Sequence, residues 1–349
     1  MPMIALALTL SLSAAPVGLR AEEGTTRKPR CDALTTAAVC RDTPDGIVVG
    51  PNEQAVVQAA EEAAMAETTW AAAFGAEPPA YAVVLDVAQP VDDVRAIGAL
   101  RVLPWISTSA RRRTMEQAVR EAVTRQAPAG QVEALGAAAV QHAAPQIEAS
   151  VAKASQPGVM AHELGHLWYI ETFWKDAQNG DGYGSPAPDW LDEAAAVLME
   201  RDGLTEARRA AFHKVWAENP RAEAVSALMA EVHPAFASGA SAMALTDGPA
   251  TGSGPRVVSM SGEEFQRRTG TDINAAAAFY TRVRAFLDFL ETTTGDHAAL
   301  VRLTVHLRNG GTVEQWFAQD PAGRQMGGST SAADQAFKVW ADAKTAAAT

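Results

Sequence analysis

Apolar and polar positions along this 349-residue chain divide it into a mixed front part and a helical rear part. Asn52 to Phe74 carries an Ala/Glu-rich helical pattern, closed by Gly75 and the Pro78-Pro79 turn. Tyr81–Val87 is continuously apolar apart from Asp86, and predicts the best strand. Val102–Ser107 predicts a second strand, with Pro104 indicating an edge or a bulge. Between them Val91–Leu100 predicts a short helix, and 112–126 and 130–154 predict two longer helices rich in Ala and Gln. A helix opens after Pro157-Gly158 and runs to about Trp174. Residues Gln178 to Pro186 then have loop chemistry throughout. Asp189 predicts the N-cap of a further helix and Gly203 its stop, with helical pattern continuing to about Glu231. A Gly/Ser/Ala/Pro-rich segment covers 234–262, and helical patterns return at Ala275–Thr292 and Ala298–Leu307. The class expected is α+β, mainly helical, with a small N-terminal α/β layer and a helical C-terminal subdomain.

The first fifty residues differ in character. Ile4 to Leu10 begins an apolar core of about a dozen residues, too short to span a bilayer as a helix. With the small residues that follow, 1–21 predicts a signal peptide and an exported protein, periplasmic or extracellular. Residues 22–50 are polar and predict an N-terminal extension. The main domain is then 51–349, with subdomains at 51–175 and 176–349. The two cysteines, Cys31 and Cys40, fit a disulfide closing a small loop if the chain is exported. No later segment is long and apolar enough to cross a membrane. A net charge of −12 makes nucleic acid an unsuitable partner, because phosphate binding needs a basic surface.

The chemistry is concentrated in His162-Glu163-Leu164-Gly165-His166. Residues i and i+4 share a helix face, so both imidazoles can meet one Zn²⁺. Glu163 is turned about 100° from His162, which lets it act on a water without being a ligand. Chance would produce this pattern roughly 0.01 times in a chain of this composition. The flanking Val159-Met160-Ala161 and Leu167-Trp168 mark the helix as a buried one.

A catalytic zinc site takes three protein ligands and keeps one position open. A third His at a further fixed interval is absent, since Thr172 stands there. Carboxylates remain. Glu193 is the first choice, because it opens a helix among apolar Trp190, Leu191 and Val197, where an unpaired carboxylate would be costly. Asp181 in the glycine-rich loop is the competitor. Asp192 fits either a capping role in the Asp189 turn or an acceptor for a ligand imidazole.

His162 to Trp168, followed by Trp190-Leu191-Asp192-Glu193-Ala194, resembles the gluzincin metallopeptidases, the thermolysin-like and aminopeptidase N-like superfamily. The resemblance implies a zincin-type (thermolysin-like) catalytic domain, with His162, His166 and Glu193 as zinc ligands and Glu163 as catalytic base. The family's second motif usually has Gly where Ala194 stands. The 26 residues between His166 and Glu193 exceed the interval in the aminopeptidase branch. No Gly-x-Met-Glu-Asn run stands upstream, so an anchor for a free amino terminus is not implied. A similarity over Tyr280–Leu290 to the C-terminal helices of small gluzincin-like domains implies Tyr280 as oxyanion donor, with His233 and Tyr183 as alternatives.

The expected function is zinc-dependent hydrolysis of peptide bonds in a peptide or protein substrate. Two other readings share the motif. One is a non-catalytic envelope protein keeping the metal for structure or partner binding; the other is a hydrolase of non-peptide amides. Trp174 and 234–262 are candidates to shape a cleft, while His142, His213, His297 and His306 read as surface or packing residues. Oligomeric state is not legible in the sequence.

Overall fold

A computed structural model describes residues 28–35, 38–86, 91–175, 186–219, 224–234 and 273–348. The expected leader, Asp181, Tyr183, and 235–262 from the Gly/Ser-rich segment lie outside the described residues. The protein is mainly helical, with one four-stranded sheet among the described residues.

The sheet is built from β1 (Val39–Asp42), β2 (Gly46–Gly50), β3 (Tyr81–Leu85) and β4 (Arg101–Trp105), in that order. β1 runs antiparallel to β2, and β2, β3 and β4 are parallel. Helix α1 (Glu53–Phe74) makes the β2-to-β3 crossover, and the short α2 (Val91–Ala96) links β3 to β4. α1 starts where the sequence places it: the Asn52 side chain accepts the Ala55 N–H at 3.0 Å, a cap worth about 1 kcal/mol. It ends at Gly75, whose φ of 68° is the left-handed conformation that closes helices.

Alternation along the strands separates two cores. Val48, Tyr81, Val83 and Leu85 join the main core with α1, whereas Ile47, Val49, Ala82 and Val84 face a smaller one with Val94 and Ala99. Cys31 and Cys40 form a disulfide and pack against this second core.

Residues 39–50 therefore belong to the sheet and not to an N-terminal extension. Gly46-Ile47-Val48-Val49-Gly50 is fully buried, yet its apolar run is only three residues long between glycines. Its strand character comes from pairing with β3, which a local pattern does not reveal.

After β4, the edge strand that Pro104 indicates, α3 (Thr108–Thr124) and α4 (Val132–Ala154) pack on each other as a helical hairpin. Asp86 pins its base, accepting the Ser107 N–H at 2.8 Å and the Ser107 hydroxyl at 2.6 Å.

α5 (Val159–Trp174) runs through the middle of the protein, in contact with α1, β4 and α6 (Asp189–Met199). Gly158 offers its first turn no side-chain cap. Glu62 of α1 substitutes, accepting Gly158 N–H at 3.0 Å and Ala161 N–H at 3.3 Å, and placing negative charge at the positive helix end. Trp168 is fully buried, edge-on to Trp70 at 5.7 Å and to Tyr81 at 5.1 Å. Such aromatic pairs add about 0.5–1.5 kcal/mol each beyond their buried area.

The rear helices are α7 (Asp202–Glu218), α8 (Val225–Ala230), α9 (Ile273–Thr294), α10 (Ala299–Arg308), α11 (Val313–Gln319), α12 (Pro321–Gln325) and α13 (Thr330–Ala348). Two expectations change here. Pro188, not Asp189, stands at the α6 N-cap, and the Asp189 carboxylate instead accepts the His233 N–H at 2.7 Å. Gly203 is not a stop. α6 ends at Met199 because Glu200 and Arg201 are extended, and Gly203 lies in the first turn of α7.

Candidate metal centre

His162 and His166 stand one turn apart on α5, as their spacing requires. What brings a carboxylate to them is the approach of α6. A Cβ on Gly165 would lie 2.8 Å from Ala196 Cα and 2.9 Å from Met199 Cγ, so only glycine permits this separation. Glu193, one turn earlier on α6, is thereby carried onto the imidazoles.

The three groups form a nearly equilateral triangle. His162 Nε2 and His166 Nε2 are 3.3 Å apart. Glu193 Oε2 is 3.4 Å from the first and 3.3 Å from the second. Two bonds of about 2.0–2.1 Å meeting at the tetrahedral angle hold their outer atoms about 3.3–3.4 Å apart. The donor set thus matches three corners of a small tetrahedral cation site, and among the described residues no fourth His, Cys, Asp or Glu joins the group. Glu193 Oε2 is buried and receives no well-aligned hydrogen bond, which is costly for a carboxylate that lacks a cation. His162, His166 and Glu193 can hold a metal ion.

The far side of each imidazole supports this orientation. His162 Nδ1 lies 2.9 Å from Glu200 Oε1, and His166 Nδ1 lies 3.0 Å from Asp192 Oδ1. A proton on each Nδ1, directed at a carboxylate, leaves each Nε2 lone pair facing the triangle. Asp192 is thus found beside the His166 imidazole. Burial opposes charge on both imidazoles, but the surrounding carboxylates outweigh it and raise both pKa values, most strongly for His166. Burial likewise works against the Glu193 carboxylate, and the two imidazoles overcome it and hold its pKa well below the ordinary range. Protons and a metal ion would compete for the same three atoms.

Around the triangle lie the other residues singled out. Glu163 projects from α5 one residue beyond His162 and is half-buried. Its charge bears on the Tyr280 hydroxyl. The Tyr280 ring, from α9, stands edge-on to His162 at 5.6 Å and tilted against His233 at 5.3 Å. Burial, then the charges of Glu193 and Glu163, push the Tyr280 pKa upward, so its hydroxyl remains a proton donor. His233 is buried, with Nε2 at 3.8 Å from Glu193 Oε1, and burial lowers its pKa. Tyr280 and His233 thus both join the centre. Asp181 and Tyr183 lie outside the described residues.

Two site residues escape sequence reasoning: Glu200 and Arg208. Glu200 follows Glu193 by seven residues, two helical turns, but extended backbone just after α6 determines where its side chain points. Its carboxylate is fully buried and takes a forked ion pair from Arg208 of α7. The only sequence signal was the acidic residue itself at the end of an apolar helix.

No family model, no curated protein and no solved structure matches this chain.

Proposed function

We propose that this protein is an exported, zinc-dependent hydrolase of peptide bonds, of the gluzincin type that its motifs resemble. The observation that carries the reading is the triangle of His162, His166 and Glu193 with Glu163 beside it. Two imidazoles and one carboxylate form a donor set suited to catalytic zinc. A purely structural site fills all four corners with protein and has no use for an adjacent base. α5 set against the edge strand β4, with helices α6 and α9 behind it, supports the zincin architecture. The Cys31–Cys40 disulfide supports an oxidising compartment. No described helix is long and apolar enough to cross a membrane.

When bound, zinc supplies Lewis acidity, which acidifies water and polarises a carbonyl. Glu163 accepts the proton of the attacking water and returns it to the amine nitrogen as the C–N bond breaks. Tyr280, kept protonated by its surroundings, donates a hydrogen bond to the oxyanion that develops on the former carbonyl. Asp192 and Glu200 accept from the Nδ1 atoms, so that in the neutral imidazoles the Nε2 lone pairs face the triangle. The substrate would be a peptide or protein whose scissile carbonyl comes to lie beside Glu163 and Tyr280.

The test is cleavage of a peptide library by the zinc-loaded protein and by Glu163→Gln. The expected result is cleavage by the wild type and full zinc occupancy without cleavage in the variant. An active Glu163→Gln protein would rule out the assigned base, and an inactive wild type holding one zinc would rule out the hydrolase.

A further inference from the structure

We infer that Arg208 is a positioning residue serving two parts of the centre at once: the imidazole of His162 through Glu200, and the phenol of Tyr280 through its ring. This inference rests on the metal-centre reading above. Arg208 lies on α7, outside every motif. Its Nε and Nη2 both donate to the Glu200 carboxylate, and Glu200 Oε1 also meets His162 Nδ1 at 2.9 Å. The guanidinium carbon of Arg208 sits 4.7 Å from the centroid of the Tyr280 ring. That ring in turn is 5.6 Å from His162. Four side chains therefore close a circuit: Arg208, Glu200, His162 and Tyr280.

The two uses of Arg208 do not compete. A guanidinium offers its edge to a carboxylate as a rigid fork and its flat face to an aromatic ring. The edge fixes the plane of Glu200, which fixes the direction in which His162 presents Nε2. The face limits where the Tyr280 ring can lie. A lysine at this position keeps the charge but has neither the fork nor the flat face. Glu200 has no exposed side-chain surface, so the fork is also what keeps its charge compensated. Arg284 of α9 supplies a further positive charge that acts with Glu200, although its own nitrogen pairs with Asp288 at 2.8 Å.

The test compares wild type, Arg208→Lys and Arg208→Gln by chelator-competition zinc titration, and by the visible spectrum after cobalt loading. Thermal melting of the metal-free proteins reports folding separately. The zinc dissociation constant is expected to rise about 10- to 100-fold in both variants, the usual effect of losing a partner that orients a ligand imidazole. The cobalt bands are expected to shift, because His162 is turned. Tyr280→Phe keeps the ring that Arg208 faces, so its zinc affinity is expected to stay within about twofold of wild type. Should the single variants fail to fold, the paired Glu200→Gln, Arg208→Met protein removes both charges and is expected to show the same loss of affinity. Folded Arg208 variants with wild-type zinc affinity and an unshifted cobalt spectrum would overturn the role of Arg208 alone. A wild type that binds neither zinc nor cobalt would overturn the metal-centre reading, and this inference with it.

Discussion

Replacing Gly165 with alanine asks how closely α5 and α6 must approach to bring Glu193 onto the two imidazoles. The new Cβ would lie 2.8 Å from Ala196 Cα, and ordinary contact begins at 3.4 Å, so the helices must separate by about 0.6 Å. The Met199 side chain can turn away, but Ala196 Cα and the Ala195 carbonyl at 3.1 Å are backbone, so a side-chain rotation alone cannot absorb the change. Overpacking of this kind costs about 1–3 kcal/mol. Alanine recovers about 1 kcal/mol of helix propensity, so the metal-free variant should lose roughly 0–2 kcal/mol. The effect on metal binding is larger in kind. Ligand distances tolerate about 0.2 Å, and α6 carries Glu193 with it when it moves. Zinc must then restore the strained contact at about 1–3 kcal/mol, a dissociation constant roughly 5- to 150-fold higher. Chelator-competition titration and urea unfolding of the metal-free protein measure the two quantities separately. A Gly165→Ala protein with wild-type zinc affinity and stability raised by about 1 kcal/mol would refute the close-approach argument.

Two further outcomes follow from the front half. Replacing Cys31 and Cys40 with serine opens a loop of about ten residues and should cost about 2.7 kcal/mol in a urea titration on chain-entropy grounds; an unchanged midpoint would show that the cross-link contributes nothing. Glu67, buried under the sheet, accepts hydrogen bonds from Thr43 and Tyr81 and from the Asp45 N–H, yet burial outweighs them and raises its pKa. A raised folded pKa means the contribution of Glu67 is fully present below its unfolded pKa and is lost as pH rises through the folded value. Wild-type stability should therefore fall relative to Glu67→Gln from about pH 4.5 upward, and parallel pH profiles for the two proteins would contradict the assignment.

The residues whose places were legible in the sequence are mostly those fixed by near neighbours in the chain. His162 and His166 share a face at any helix spacing of four. Asn52 and Gly75 act on their own helix ends. Glu193 was legible because a carboxylate among Trp190, Leu191 and Val197 needs a reason to be there. What the sequence hid depends on partners far along the chain. β2 is a strand because β3 pairs with it, not because Gly46–Gly50 alternates. Asp189 looked like a cap, but its carboxylate is taken by the His233 backbone, 44 residues away. Glu200 becomes the partner of His162 only because the backbone turns out of α6 at that residue, and Arg208 matters only once Glu200 is placed. Gly165 carries no local signal inside the motif; its purpose lies in the α6 backbone that passes beside it.

The central claim is that His162, His166 and Glu193 together hold one zinc ion. Equilibrium dialysis followed by elemental analysis, on wild type, His162→Ala, Glu193→Ala and Glu163→Gln side by side, tests it directly. One zinc per chain in the wild type and in Glu163→Gln, with loss of zinc in the other two, is the predicted result. A wild type without zinc, or a folded Glu193→Ala protein that keeps its full complement, would contradict it.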